Sequence, residues 1–83
     1  MQIEKIEDEI IKILIKNKFI KKNEIVNKNA DLFETYGINS ILAVNLLVEL
    51  EEVFKITLND DDLLPDNYKS LNKLVSTINK YIG

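Results

Sequence analysis

Residues 36–54 read YGINSILAVNLLVELEEVF, and this stretch predicts a long helix that begins after a glycine-containing loop. At about 100° per residue, one arc of such a helix collects most of the large apolar side chains of the stretch. These are the side chains that we expect to form its core face: Leu42, Ala43, Leu46, Leu47, Leu50, Val53 and Phe54. The pattern therefore predicts a helix from Ser40 to Phe54 that packs against other helices.

The opposite arc of this helix carries three branched apolar residues, Ile41, Val44 and Val48, at positions i, i+3 and i+7. A helix surface that faces only solvent does not need them. We interpret this arc as a docking surface with an acidic lower rim. Its polar neighbours are Asn45, Glu49, Glu51 and Glu52. A wider buried face, or apolar residues scattered on the surface, is the alternative interpretation.

Ser40 lies at the start of this helix, three residues after Gly37. A hydroxyl group in this position is exposed, and the positive field of a helix N-terminus favours a nearby phosphate. The position therefore suits a serine that receives a phosphate-linked group. The alternative is a helix cap, because serine and asparagine are both favoured as caps and Asn39 directly precedes Ser40.

The length and composition of the chain indicate one small domain over residues 1–83. Hydrophobic residues make up 46% of it, and two glycines and one proline favour long regular elements over a turn-rich β fold. No apolar run of about 18 residues could span a membrane, and the first residues do not resemble a signal peptide. We therefore expect a monomeric cytoplasmic protein that does not bind membranes.

The chain contains no cysteine and no histidine. This composition excludes disulfides, thiolate metal sites and histidine-based catalysis, so any thiol has to be added and an enzyme is not expected. Residues 1–22 hold six lysines and four acids, whereas residues 23–83 hold five lysines and ten acids. Because the larger part is acidic and arginine is absent, we do not expect nucleic-acid binding.

Two further amphipathic helices flank the one that begins at Ser40. The first is predicted from Ile3 to Asn17, and its apolar stripe is Ile3, Ile6, Ile10, Ile13 and Leu14. The last is predicted to start after a Ser70 cap, and its stripe is Leu71, Leu74, Val75, Ile78 and Ile82.

The connections between these helices are unequal. The first, residues 18–39, is long enough to predict a function or structure of its own. We expect five side chains to pin it to the core: Phe19, Ile25, Val26, Leu32 and Phe33.

In the second connection, residues 56–58 predict an extended link. Residues 59–62 then predict a solvated acidic cap for a short helix through Leu64, and Tyr68 is expected to pack before the last helix. This acidic run lacks the ligand pattern of an EF-hand loop. The prediction is an all-α fold, a small four-helix bundle of three main helices plus one short helix, with a long first loop.

The stretch Gly37-Ile38-Asn39-Ser40-Ile41, followed by Leu50-Glu51-Glu52-Val53-Phe54, resembles the acyl and peptidyl carrier protein family. In that family a Gly-x-Asp-Ser-Leu motif opens the second helix and a Leu-Glu-Glu-x-Phe stretch closes it. The resemblance covers essentially the whole chain and implies an acyl-carrier-protein-like fold. It also implies that Ser40 bears a 4′-phosphopantetheine arm, which a phosphopantetheinyl transferase takes from coenzyme A. The terminal thiol of the arm would hold acyl or aminoacyl thioesters.

The resemblance also implies partners. They are the transferase, a loading enzyme (an adenylating ligase or an acyltransferase) and downstream synthase or modifying enzymes. The expected docking residues are Asn39, Ile41, Val44, Val48, Glu51 and Glu52. Because one hydroxyl cannot serve fully as both helix cap and ester, we expect modification of Ser40 to alter the start of the helix.

Two departures from the family pattern bear on the pathway. Asn39 stands where the family usually has aspartate, which affects recognition by a particular transferase. Leu42 and Asn45 stand where fatty-acid carriers commonly have acids. The apolar surface therefore favours a discrete, stand-alone carrier of a nonribosomal peptide or polyketide pathway. The alternatives are a housekeeping acyl carrier protein of fatty-acid synthesis and, from a different class, an unmodified helical adaptor.

Overall fold

The computed structural model describes residues 2–82 of the chain. Within this range there are four α-helices: α1 (Ile3–Lys16), α2 (Leu32–Tyr36), α3 (Ser40–Phe54) and α4 (Leu71–Ile82). Two short 3-10 turns, Asp60–Leu63 and Pro65–Asn67, lie between α3 and α4, and no strand occurs in the described range. The predicted all-α, four-helix architecture is confirmed.

The short α-helix lies in the first connection and not in the second, where it was predicted. Its N-terminus is capped by Asp31, whose carboxylate oxygen accepts hydrogen bonds from the backbone N–H groups of Phe33 (2.8 Å) and Glu34 (3.3 Å). Its C-terminus is formed by Gly37 in the left-handed region, at φ 70°, which glycine adopts without a steric penalty. The predicted helix after residue 59 is only a 3-10 turn.

The end of α1 is a tight reversal at Lys18, which also lies in the left-handed region, at φ 64°. The Phe19 N–H donates to the Leu14 carbonyl (3.0 Å), and the Lys18 N–H donates to the Ile15 carbonyl (2.9 Å). This pair of hydrogen bonds is the Schellman pattern, which satisfies the last carbonyls of a helix. It ends α1 at Lys16, one residue before the predicted end, and directs Phe19 back towards the core.

The core is assembled from one face of each long helix, with α1 packed against both α3 and α4. Three residues expected in the core are instead exposed: Ile3 (55%), Val53 (43%) and Ile25 (95%). Ile3 belongs to the first turn of α1, Val53 lies at the edge of the apolar arc of α3, and Ile25 belongs to an irregular segment. Helical periodicity predicts direction around a helix, but it does not predict how far neighbouring elements extend. Within residues 2–82, no helix is long and apolar enough to cross a membrane.

The start of α4 is tied to α2, and this contact supports the loop that precedes α3. The Leu32 N–H donates to the Lys69 carbonyl (2.8 Å), and the rings of Phe33 and Tyr68 have centroids 5.8 Å apart. The Ser70 hydroxyl oxygen accepts a hydrogen bond from the Lys73 N–H (3.2 Å), as expected of a helix cap.

The acidic run between α3 and α4 is not a solvated cap throughout. Asp62 is buried, with 3% of its surface exposed, and its carboxylate binds the Lys80 ammonium and the Tyr81 hydroxyl of α4. Asn59 precedes the 3-10 turn but makes no side-chain capping hydrogen bond. The prediction of a solvated cap is therefore wrong for Asp62, because its carboxylate is buried. Lys80 and Tyr81 provide the pairing that a buried carboxylate needs.

Candidate attachment and docking site

The loop that leads into α3 is held by a glycine and a buried isoleucine. A Cβ atom at Gly37 would meet no other atom within 4 Å, so the positive φ angle, and not space, is what favours glycine there. Ile38 is the next residue, and only 2% of it is exposed. The loop is thus pinned into the core one residue before Asn39.

Asn39 is the N-cap of α3. Its side-chain oxygen accepts a hydrogen bond from the Leu42 N–H (2.9 Å), and its backbone carbonyl accepts one from the Ala43 N–H (2.8 Å). An N-cap asparagine satisfies one of the backbone donors that a helix start leaves unpaired. Capping is therefore carried out by Asn39 and not by Ser40.

Ser40 is the first residue of α3, and it is exposed. Its hydroxyl makes no hydrogen bond to any of residues 2–82, and the N–H groups of Ser40 and Ile41 find no acceptor there. The alternative that Ser40 itself caps the helix is wrong, because the cap is Asn39. That modification of Ser40 alters the start of the helix stays a prediction. The site combines a free hydroxyl with two unpaired backbone donors.

The outer face of α3 is apolar and exposed. Ile41, Val44 and Val48 are 74%, 54% and 47% exposed, respectively. The alternative of a wider buried face is therefore wrong for this arc. These three residues form a continuous stripe along the solvent side of the helix, starting next to Ser40. We call Ile41, Val44 and Val48 the apolar face.

The acids around the apolar face differ in their partners. Glu49 is half-buried and bound by the Lys16 ammonium (3.0 Å) and the Asn17 side-chain amide (3.3 Å). The hydrogen bond from Lys16 is the main reason why the pKa of the Glu49 carboxyl lies below its ordinary value. Glu51 is also half-buried, and its carboxylate accepts a hydrogen bond from the Leu58 N–H (2.9 Å). Glu52 is exposed and has no partner within residues 2–82.

Two features that position the site were not predicted from the sequence. The burial of Ile38 was missed, although an isoleucine between Gly37 and Asn39 could have indicated an anchor in an otherwise polar loop. The helix α2 was also missed, although Asp31 and Gly37 are typical of a helix start and a helix end, respectively. Both residues that bracket α2 were visible in the sequence.

Comparison with known proteins identifies the family of the chain. Residues 9–78 match the family described as "Phosphopantetheine attachment site". The acyl carrier protein of Phytoplasma mali (strain AT) is 33% identical over 70 residues, which cover 78% of this chain and 81% of that protein. No solved structure matches the chain. The cofactor of the matched family is phosphopantetheine, and its members carry substrates without catalysing reactions. The chain belongs to the phosphopantetheine-binding carrier protein family, which includes the acyl carrier proteins.

Proposed function

We propose that Ser40 is the residue that bears the 4′-phosphopantetheine arm, transferred from coenzyme A by a phosphopantetheinyl transferase. The observation that carries the proposal is the exposed Ser40 hydroxyl, which is free because Asn39 caps the helix. The arm would supply a thiol that the cysteine-free chain lacks and would hold an acyl or aminoacyl group on it as a thioester.

The start of α3 suits the phosphodiester of such an arm. The N–H groups of Ser40 and Ile41 are unpaired among the described residues, and they lie at the positive end of a 15-residue helix. Backbone donors and the helix dipole together favour a phosphate at this position. The anchored Ile38 would keep the attachment point in a fixed place on the domain while the arm moves.

We propose that partner enzymes dock on the apolar face. The docking residues are Asn39, Ile41, Val44, Val48, Glu51 and Glu52. Glu51 would contribute to docking mainly through the hydrogen bond that its carboxylate accepts from the Leu58 N–H. Glu52 presents the exposed charge of the rim. Because one exposed acid accompanies three exposed apolar side chains, contact rests more on apolar burial than on charge steering. Docking raises the effective concentration of the tethered cargo at the active site of the partner.

This apolar surface supports a discrete carrier in a nonribosomal peptide or polyketide pathway, which an adenylating ligase or an acyltransferase loads and downstream enzymes consume. A second candidate is the acyl carrier protein of fatty-acid synthesis, which is favoured by the name of the Phytoplasma mali relative. Competition between loading enzymes separates them. Preferential loading by an adenylating enzyme supports the first, and preferential malonyl transfer supports the second. Cytoplasmic location and a monomeric state stay predictions.

Intact mass tests the attachment site directly. The wild-type protein, Ser40→Ala and the control Ser76→Ala, which removes an exposed hydroxyl from α4, are incubated with coenzyme A, magnesium and a promiscuous transferase. We expect one phosphopantetheinyl group on the wild type and on the control, and none on Ser40→Ala. A group retained by Ser40→Ala contradicts the assignment. If the wild type and Asn39→Asp both stay unmodified by an active transferase, the unmodified helical adaptor becomes the better explanation.

A further inference from the structure

A surface cleft lies where α1 ends and the first connection begins. It has a volume of about 440 Å³, and its lining residues are Ile15, Lys18, Phe19, Ile20, Lys21, Lys22 and Glu24. Ile20 is buried, and Ile15 and Phe19 are half-buried, so the floor of the cleft is apolar. The exposed lysines form its rim. We call this feature the lysine-rimmed cleft.

Hydrogen bonds at both ends fix the shape of the lysine-rimmed cleft. At one end, the Schellman hydrogen bonds of Lys18 and Phe19 set the reversal of the chain. At the other end, the Lys21 N–H donates to a carboxylate oxygen of Glu24 (3.0 Å), and the Glu24 N–H donates to the Lys21 carbonyl (3.0 Å). The surface therefore exists before any partner binds, which lowers the entropic cost of binding.

The charge of the rim is not neutralised within the described part of the chain. Lys18, Lys21 and Lys22 are exposed, and no carboxylate of residues 2–82 lies in salt-bridge distance of their ammonium groups. Five other lysines do have such partners, namely Lys12, Lys16, Lys28, Lys69 and Lys80, whereas Lys5, Lys55 and Lys73 have none among residues 2–82 and lie outside the cleft. The Glu24 carboxylate on the same rim is engaged by the Lys21 backbone. Three free ammonium groups thus surround an apolar floor in a protein whose net charge is −3.

The lysine-rimmed cleft lies on the α1 side of α3. Lys16 and Asn17, which lie between the lining residues Ile15 and Lys18, both bind Glu49 of α3. Glu49 is nine residues beyond Ser40, which corresponds to about 14 Å along a helix. One partner could therefore cover part of the apolar face and reach the cleft as well.

We propose that the lysine-rimmed cleft is a second contact surface of the carrier, which binds an acidic protein segment with carboxylates on either side of an apolar side chain. The apolar side chain covers the floor made by Ile15 and Phe19, and the carboxylates pair with the lysines of the rim. Such a segment is complementary to the lysine-rimmed cleft in charge and in polarity. The surface differs from the apolar face, where the exposed charge is acidic, and it does not need the arm at Ser40.

An anionic membrane would offer the same charge, but the observations favour a protein segment. Three free lysines fall short of the four to eight that typically hold a protein on anionic lipid. The rest of the surface is rich in carboxylates, which a flat bilayer would repel, whereas a narrow segment contacts the cleft alone. A membrane is therefore an outcome to be tested against, and not the expected partner.

Titration followed by NMR tests the proposal on the full chain. The probe is a synthetic peptide of sequence Asp-Glu-Leu-Glu-Asp with blocked ends, and its control is the Asn-Gln-Leu-Gln-Asn analogue. We expect chemical shift changes concentrated in residues 15–24 with the acidic peptide and none with the analogue. High salt should weaken the binding because it screens exposed charges. Equal shifts with both peptides, or shifts located elsewhere, would overturn the proposal.

Charge-reversal variants sharpen the test. Lys21→Glu/Lys22→Glu should lower the affinity for the acidic peptide about tenfold or more. The control Lys5→Glu/Lys73→Glu changes the net charge equally at exposed lysines outside the cleft and should keep the wild-type affinity. An unchanged affinity in the first variant, with circular dichroism showing an intact fold, contradicts the proposal.

Two further measurements distinguish this proposal from the arm assignment at Ser40 and from membrane binding. Ser40→Ala should bind the acidic peptide like the wild type, so a failure of the arm assignment leaves this result untouched. Vesicles of phosphatidylserine and phosphatidylcholine provide the membrane comparison. Binding of these vesicles through residues 15–24, without binding of the peptide, would overturn the protein-segment proposal in favour of a lipid surface.

Discussion

The carboxylate of Asp62 and the ammonium of Lys80 form an ion pair that fastens the α3–α4 connection to the last turns of α4. The Tyr81 hydroxyl donates to the same carboxylate and accepts a hydrogen bond from the Asn59 N–H (3.0 Å). The hydrogen bond from Lys80 is the main reason why the pKa of Asp62 lies below its ordinary value. The hydrogen bonds to Asp62 likewise raise the pKa values of Lys80 and Tyr81.

Replacing Asp62 with asparagine should destabilise the protein by about 1–2 kcal/mol. The substitution keeps the size of the side chain but removes the charge that Lys80 and Tyr81 bind. The exposure of Lys80 limits the loss, since solvent can rehydrate its ammonium group. Urea denaturation measures the effect, and Asp61→Asn, at an exposed neighbour, is the matched control with an expected change below about 0.5 kcal/mol. Equal losses in the two variants would contradict this role of Asp62.

Stability should fall at acid pH through Asp62 and Glu49. The pKa of each carboxyl is lower in the folded protein than its ordinary value, because Lys80 and Lys16, respectively, bind the ionised form. Their contributions are thus complete above the unfolded pKa values, about 4, and are lost as pH falls through the lower folded pKa values. Urea midpoints measured from pH 7 to pH 2 should show this decline. Asp62→Asn should make the decline shallower, and an unchanged slope would contradict the assignment.

At alkaline pH, Lys80 and Tyr81 make stability depend on pH in the opposite direction, because their pKa values are raised in the folded protein. Their protonated forms are favoured by folding, so the contribution is complete below the unfolded pKa values, about 10. It is lost as pH rises through the folded ones. Tyr81→Phe should remove the tyrosine part of this loss. The difference in ultraviolet absorbance between the wild type and Tyr81→Phe follows the ionisation of the Tyr81 phenol. A phenol of Tyr81 that ionises at its ordinary pKa would contradict the hydrogen bond to Asp62.

Asn39→Ala should cost about 1 kcal/mol of stability, because the Leu42 N–H loses its capping partner. Ser40→Ala should change stability by less than about 0.5 kcal/mol, since the Ser40 hydroxyl makes no hydrogen bond within the described residues. Thermal denaturation of both variants distinguishes the two roles. Asn39→Asp keeps the cap and should restore stability. A larger loss for Ser40→Ala than for Asn39→Ala would show that the cap is misassigned.

Val48→Asp should impair reactions with partner enzymes while leaving the fold intact. Val48 is 47% exposed in the middle of the apolar face, so a carboxylate there stays hydrated in the free protein but is desolvated in a complex. We expect kcat/KM for a partner enzyme to fall about tenfold. Val53→Asp is the matched control, at a similarly exposed valine (43%) outside the apolar face. Equal effects of the two substitutions on kcat/KM would contradict docking through this face.

The regular parts of the fold were predictable because they depend on local periodicity and local hydrogen bonds. The observed bounds of α3 match the predicted ones, and the exposure of Ile41, Val44 and Val48 follows from their angular position around that helix. The Ser70 cap was predictable for the same reason, since its hydrogen bond to Lys73 spans three residues. The position of Ser40 in the candidate site was predictable for the same reason, because Ser40 is the first residue of α3.

The irregular parts depended on contacts between residues that are distant in the chain. Asp62 looked like one carboxylate in a solvated acidic run, but its partner is 18 residues away on α4, and only packing of that helix buries it. Ile25 and Ile38 are chemically alike, yet one is exposed and the other is buried, because an irregular segment has no period from which direction could be inferred. The amino-acid pattern thus specified the long helices and the position of Ser40. Tertiary packing specified which loop residues are anchored and which charges are paired, since both require two segments to meet in space.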